Sequence, residues 1–309
     1  MRIARGRVER WGALAALLAA LAAASALPQR AAAGAIPFTL PPIADSASPE
    51  HHPGKIIWAD LVTPDLAAAE RFYGGLFGWT FQAIRTGNSQ YAVAMLGDGP
   101  IAGLYQRPIP AGEHRQSAWL TFIAVKNLDE ARRAALEHGA KSDSPSRTYP
   151  DRGDQAVFTD PQGAVFAALA SQSGDGTDYL APDGDWIWGS LLTNDPSASA
   201  RFYEAVFGYV PYDLPSEDGA SHIILADADY ARAGIHTLPA GHHHPHWLNF
   251  IRVADASRSA ERAVELGGRI LVPPHLDRHG GQVAVVADPM GAAIGLMEWS
   301  DADTEPQPP

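Results

Sequence analysis

One pattern runs through this chain twice. Residues 63–79 read Thr-Pro-Asp-Leu-Ala-Ala-Ala-Glu-Arg-Phe-Tyr-Gly-Gly-Leu-Phe-Gly-Trp, and residues 193–209 read Thr-Asn-Asp-Pro-Ser-Ala-Ser-Ala-Arg-Phe-Tyr-Glu-Ala-Val-Phe-Gly-Tyr. Asp65, Arg71, Phe72, Tyr73, Phe77 and Gly78 each return 130 positions later. A second block, Asp160-Pro161-Gln162-Gly163-Ala164, returns as Asp288-Pro289-Met290-Gly291-Ala292, offset by 128. Repeats of this length exceed the period of a solenoid unit, so they imply two copies of one domain. Any site proposed in one copy can therefore be compared with the same position in the other.

Within each copy, strand-like and helix-like patterns alternate. Residues 56–62 read as a strand, and Asp65 is placed to cap the helix that follows. Ala69, Phe72, Tyr73 and Leu76 fall on one face of that helix, and Gly78 ends it. Three short strands are expected near 79–85, 90–96 and 101–106. The cycle then restarts with a strand at 118–125, a helix at 128–137 and strands at 155–159 and 164–169. Copy two follows with a strand at 186–192, a helix at 196–207, a strand at 246–253, a helix at 255–266 and strands at 282–287 and 293–298. The fold class is α+β, each copy being a pair of β-α-β-β-β units.

The flanks differ in character. Arg2, Arg5, Arg7 and Arg10 precede an apolar run from Ala13 to Leu27, and Ala24-Ser25-Ala26 suits a cleavage site. Residues 1–26 thus read as a signal peptide, and the protein as exported, periplasmic or secreted. An N-terminal membrane anchor is the alternative, although the run falls short of the roughly 20 residues a span requires. Residues 27–54 read as a flexible tether, 171–184 as a linker and 300–309 as a disordered tail. The two domains are then 55–170 and 185–299.

Composition removes several function classes. There is no cysteine, which excludes disulfides, thiolate metal sites and thiol catalysis. Without the four Arg and one Glu of residues 1–26, the 23 basic and 35 acidic residues become 19 and 34, a net of −15. That charge opposes binding to nucleic acid or to an anionic membrane. No phosphate-cradling Gly-rich loop and no defensible Ser–His–Asp order occurs.

The order of these motifs resembles the vicinal oxygen chelate superfamily, the glyoxalase, bleomycin-resistance and extradiol-dioxygenase group. The resemblance covers both copies. It implies tandem glyoxalase-like domains whose paired units curl around a cup-shaped cavity, and in metal-using members a divalent ion held by His and Glu. It also places the ligand positions at Trp58, Leu120 and Ala167 in copy one and at Trp188, Leu248 and Gly295 in copy two. Indole, alkyl and hydrogen side chains offer no ligand lone pair, and a shift of one residue does not restore a ligand set. The expectation is therefore no metal and no other cofactor at these positions.

Strand alternation groups further residues with these. Asp60 accompanies Trp58, Ser190 accompanies Trp188, Phe122 accompanies Leu120, and Phe250 and Arg252 accompany Leu248. The cups are then apolar and aromatic, with Asp60, Ser190 or Arg252 available to orient a ligand. Trp58 and Trp188 either stack on that ligand or plug their cavities. A carboxylate facing an apolar cup would have a raised pKa, so Asp60 is also a candidate acid or base. The His242-His243-His244-Pro245-His246 run reads as an exposed loop able to hold a metal adventitiously, and His236 and His279 are weaker candidates. Phe72, Tyr73, Phe202 and Tyr203 read as core, and the Asp-Pro-x-Gly blocks as structural turns. The leading expectation is a metal-free binding protein for a small apolar or aromatic molecule, its two domains paired within the chain. The alternative is a lyase, isomerase or dioxygenase-like enzyme using a relocated metal site or Asp60.

Overall fold

A strand that runs into a capped helix opens each repeat. β1 (Ile56–Thr63) leads to α1 (Leu66–Phe77), whose first turn is capped by Asp65 accepting from the Ala68 N–H. Asp195 caps the helix of the second repeat in the same way, through the Ala198 N–H. Gly78 and Gly208 end these helices at φ 75° and 76°, a left-handed conformation that a side chain would resist. The computed structural model describes residues 40–43, 49–86, 89–107, 117–214, 222–227, 230–239, 244–277 and 280–299. The expected signal segment, the tail at 300–309, His242, His243 and His279 lie outside them.

The remaining elements follow the expected order. β2 (Thr80–Thr86), β3 (Ser89–Leu96) and β4 (Gly99–Gln106) complete the first half of repeat one. Its second half comprises β5 (Ala118–Ala124), α2 (Leu128–Glu137), two short strands β6 (Lys141–Ser142) and β7 (Arg147–Tyr149), β8 (Gly153–Thr159) and β9 (Val165–Ser171). Repeat two contains β10 (Trp186–Thr193), α3 (Pro196–Phe207), β11 (Val210–Leu214), β12 (His222–Asp227) and β13 (Tyr230–Thr237). It closes with β14 (His246–Arg252), α4 (Ala256–Glu265), β15 (Arg269–Leu276), β16 (Gln282–Ala287) and β17 (Ala293–Met297). Each repeat forms one sheet: β2-β3-β4-β1-β5-β9-β8-β6 with β7 on β8, and β11-β12-β13-β10-β14-β17-β16-β15. This is the α+β fold expected from the sequence.

The compact units do not follow the repeats. One unit contains Phe122–Asp175 and Leu191–His246, together with the described residues up to Ile57. The other contains Trp58–Thr121, Gly176–Ser190 and the described residues from Trp247. Each therefore joins the first half of one repeat to the second half of the other. In the unit that begins at Trp58, α1 buries Leu66, Ala69, Phe72, Tyr73 and Phe77. They share a core with Ile251, Ala256, Ala260, Val286 and Leu296 of repeat two.

The recurring motifs meet inside these units. Tyr73 donates to Asp288 Oδ2 at 3.3 Å, and Tyr203 donates to Asp160 Oδ2 at 3.1 Å. Asp160 Oδ1 accepts from the N–H groups of Gln162, Gly163 and Ala164, and Asp288 Oδ1 accepts from Met290 and Ala292. The carboxylate thus folds its own turn with one oxygen and holds a helix of the other repeat with the second. A second exchange accompanies the first. Trp79 Nε1 donates to the Gly184 carbonyl at 2.8 Å, and Tyr209 donates to the Gly54 carbonyl. Trp79, Trp119 and Trp186 gather with ring centroids 5.2–6.4 Å apart, and each indole N–H is satisfied.

The segments between domains are held in part. Leu40 and Ile43, within the stretch read as a tether, are buried, and the Ile43 N–H bonds Ser173 Oγ. The His52 N–H donates to Asp175 Oδ2 at 2.7 Å, which ties the stretch read as a linker to the same unit.

Removing either tyrosine hydroxyl strands a buried carboxylate oxygen. Tyr203→Phe is expected to cost about 1–3 kcal/mol in urea denaturation. Tyr73→Phe is expected to cost more, because Tyr73 Oη also accepts from Trp119 Nε1 at 3.0 Å. Burial raises the carboxyl groups of Asp160 and Asp288 above their ordinary value, against the hydrogen bonds that lower it. The native state then binds protons more tightly than the unfolded chain, so stability from these groups is present below the ordinary value and lost as pH rises through the raised one. Asp160→Asn should flatten that part of the stability–pH curve.

Candidate functional site

The helix-side core contains Leu61, Ala92, Ala94 and Leu104. Alternation therefore turns Trp58, Asp60, Tyr91 and Val93 to the opposite face. There Trp58 Nε1 donates to Asp60 Oδ1 at 2.7 Å, and Tyr91 donates to the same oxygen at 3.0 Å. Asp60 lies opposite Gly103 in the β1–β4 ladder. A Cβ at Gly103 would sit 2.1 Å from Asp60 Oδ1 and 1.9 Å from Tyr91 Oη, so glycine there leaves the room that the cluster fills. Trp58 is 2% exposed and Asp60 is partly exposed.

The second half of repeat two belongs to the same unit. Phe250 is opposite Gly295 in the β14–β17 ladder, and a Cβ at Gly295 would lie 2.1 Å from the Phe250 ring. The ring thus occupies the space that any side chain at 295 would need. Leu248 and Ser190 are buried, whereas Trp188 and Phe250 are partly exposed. Arg252 is engaged elsewhere: Nη1 donates to the Ala181 carbonyl at 2.8 Å and Nη2 to the Trp299 carbonyl at 3.0 Å. These bonds fasten the chain before β10 and after β17.

In the other unit, Phe122 is buried and faces Ala167 across the β5–β9 ladder. The guanidinium of Arg152 lies 5.9 Å from the Phe122 ring centroid, and Nη1 donates to the Pro41 carbonyl at 3.2 Å. Arg152 is fully buried. Sequence reading passed over it because a lone Arg in a Pro-Asp-Arg-Gly turn carries the signal of a solvated loop. Tyr91 was missed because its bond to Asp60 spans 31 residues. His222 was missed as well, and it lies directly opposite His236 in the β12–β13 ladder.

The sequence positions for a divalent ion do not fit one. Trp58 Nε1 is a donor already given to Asp60, Leu120 and Ala167 carry no ligand atom, and Gly295 is covered by Phe250. Among the described residues no group of three or more His, Asp or Glu could hold a metal. His244 is exposed, and His246 Nδ1 lies 2.9 Å from the His244 carbonyl. A groove of about 390 Å³ in the first unit lies between His138, Gln162, Ser199 and Arg201, and none of the predicted ligand-facing residues lines it.

Comparison with known proteins identifies the family. Residues 55–167 match the family described as Glyoxalase/Bleomycin resistance protein/Dioxygenase superfamily, and residues 190–297 match a glyoxalase-like domain. The chain is 30% identical to "Putative glyoxylase CFP32" of Mycobacterium bovis over 251 residues, covering 81% of this chain and 96% of that protein. It is 30% identical over 263 residues to "Anthracycline biosynthesis protein DauV" of Streptomyces sp. (strain C5), covering 81% and 95%. The fold is similar to a Mn(II)-bound glyoxalase from Novosphingobium aromaticivorans, with a TM-score of 0.57, 16% identity, and 80% and 82% of the two chains covered.

Gly103→Ala should break the Trp58–Asp60–Tyr91 cluster. The expected loss is about 1–3 kcal/mol in chemical denaturation, with a shift in tryptophan emission as the Trp58 indole leaves its partner. An unchanged spectrum and midpoint would mean that the cluster is not held by this close approach.

Proposed function

This chain belongs to the glyoxalase/bleomycin resistance protein/dioxygenase superfamily, and from that premise we propose that it is an exported member that binds a small, largely apolar or aromatic molecule without a metal at the superfamily's ligand positions. The observation that carries the reading is the filling of those positions. Trp58, Leu120 and Ala167 in one repeat, and Trp188, Leu248 and Gly295 beneath Phe250 in the other, replace ligand chemistry with apolar surface. Export rests on the Arg-rich start and apolar run of residues 1–26.

The repeats divide the task unequally. Trp58, Leu120 and Phe122 are each at most 2% exposed, which suits a packed interior. Trp188 and Phe250 are partly exposed, so the second repeat presents the aromatic surface on which a planar ligand can stack. Anthracyclines are planar polycyclic aromatics, and the name of the DauV relative supports this class of ligand. A second reading, an enzyme using Asp60 as acid or base, is favoured by one observation. Two donors fix Asp60 Oδ1 in place, as a positioned proton acceptor requires.

A panel of planar aromatics titrated against intrinsic fluorescence tests the proposal. Binding should survive exhaustive chelation. Trp188→Ala should weaken it about tenfold or more, equivalent to about 1.4 kcal/mol, while Trp58→Ala should have the smaller effect. Binding that is insensitive to Trp188→Ala, or lost on chelation, would contradict it. Turnover abolished by Asp60→Asn with binding intact would favour the enzyme.

A further inference from the structure

His222 and His236 stand directly opposite each other on the antiparallel strands β12 and β13. Their rings lie with centroids 4.1 Å apart and planes tilted by 33°. Ile223, Leu225, Ala233 and Ile235 are buried between them in sequence, so alternation puts both imidazoles on the same opposite face of the sheet. Both are partly exposed. The equivalent pair in repeat one follows from the ladders. Tyr91 pairs with Tyr105, and the bonds Arg107 N–H to Thr63 O and Leu238 N–H to Thr193 O align β4 with β13 at an offset of 131. Two phenols in one repeat are thus two imidazoles in the other.

We propose that His222 and His236 form a two-nitrogen site for a borderline divalent transition metal, Cu²⁺, Ni²⁺ or Zn²⁺. Directly opposed residues on antiparallel strands have Cβ atoms about 4.5–5.5 Å apart, and rotation about χ2 turns one nitrogen of each ring towards a shared ion. Imidazole suits these three ions over Mg²⁺ or Ca²⁺. Among the described residues two protein ligands converge, so the remaining coordination positions go to water or to a donor on a small molecule. The site uses none of the six ligand positions named above and does not rest on the ligand-binding proposal. It also differs from the loop histidines: His244 is exposed, whereas this pair is fixed by strand register.

The test is calorimetric titration of Zn²⁺, with Cu²⁺ paramagnetic resonance in parallel, into full-length protein without a tag and freed of metal by chelation. A background carrying His242→Gln, His243→Gln, His244→Gln and His246→Gln removes the loop. One ion per chain should still bind there, with nitrogen hyperfine coupling to Cu²⁺. His222→Tyr or His236→Tyr, the residue type that repeat one carries at each position, should weaken binding about tenfold or more with the circular dichroism unchanged. Loss of all stoichiometric binding in the loop background would overturn the proposal. So would an ion retained after both tyrosine substitutions. If the tyrosine variants unfold, His222→Gln with His236→Gln gives the same comparison.

Discussion

Two reciprocal hydrogen bonds organise this protein. Tyr73 of the first repeat reaches Asp288 of the second, and Tyr203 of the second reaches Asp160 of the first. Each aspartate is buried, so its ionised form is tolerable only because both of its oxygens accept hydrogen bonds. One oxygen gathers the backbone of its own turn, and the other takes the tyrosine. The Arg-Phe-Tyr and Asp-Pro-x-Gly blocks persist in both copies because they are two halves of one contact. The matching exchange by Trp79 and Tyr209, onto the carbonyls of Gly184 and Gly54, fixes the chain entering each repeat. The unit that packs is thus half of one repeat with half of the other.

The opposite face of each sheet carries side chains that differ between the repeats. The helix-side core comprises Leu61, Phe72, Ala260, Val286 and their neighbours, while other side chains project from the opposite side of the strands. Asp60 stands against Ser190, Tyr91 and Tyr105 against His222 and His236, and Ala124 against Arg252. What both copies share on that face is the absence of metal-ligand chemistry at the superfamily positions and a tryptophan on the first strand. Gly103 and Gly295 show how tightly the face is filled: one makes room for Asp60 and Tyr91, the other for Phe250.

Much of this was legible in the sequence. The caps at Asp65 and Asp195, the strand and helix order, and the shared face of Trp58 and Asp60 are local features, set by periods of 3.6 and 2 residues. The short strands β6 and β7 have only two and three residues and left no such pattern. Contacts over long separations were equally invisible. Tyr73 and Asp288 are 215 residues apart, and each alone reads as core or turn. Arg252 faced the predicted direction by alternation, yet its long side chain bends to backbone carbonyls at 181 and 299, which periodicity cannot anticipate. Phe250 over Gly295 needed the strand register, because the two belong to different strands 45 residues apart.

The central claim is that apolar and aromatic groups have taken over the positions where related folds hold an ion. It is tested most directly by a crystal structure of the protein soaked with Mn²⁺ and a planar aromatic compound, with anomalous data collected for manganese. The account predicts no anomalous peak beside Trp58, Leu120 and Ala167 or beside Trp188, Leu248 and Gly295, and ligand density against Trp188 and Phe250. A manganese peak at either set of three residues would contradict it.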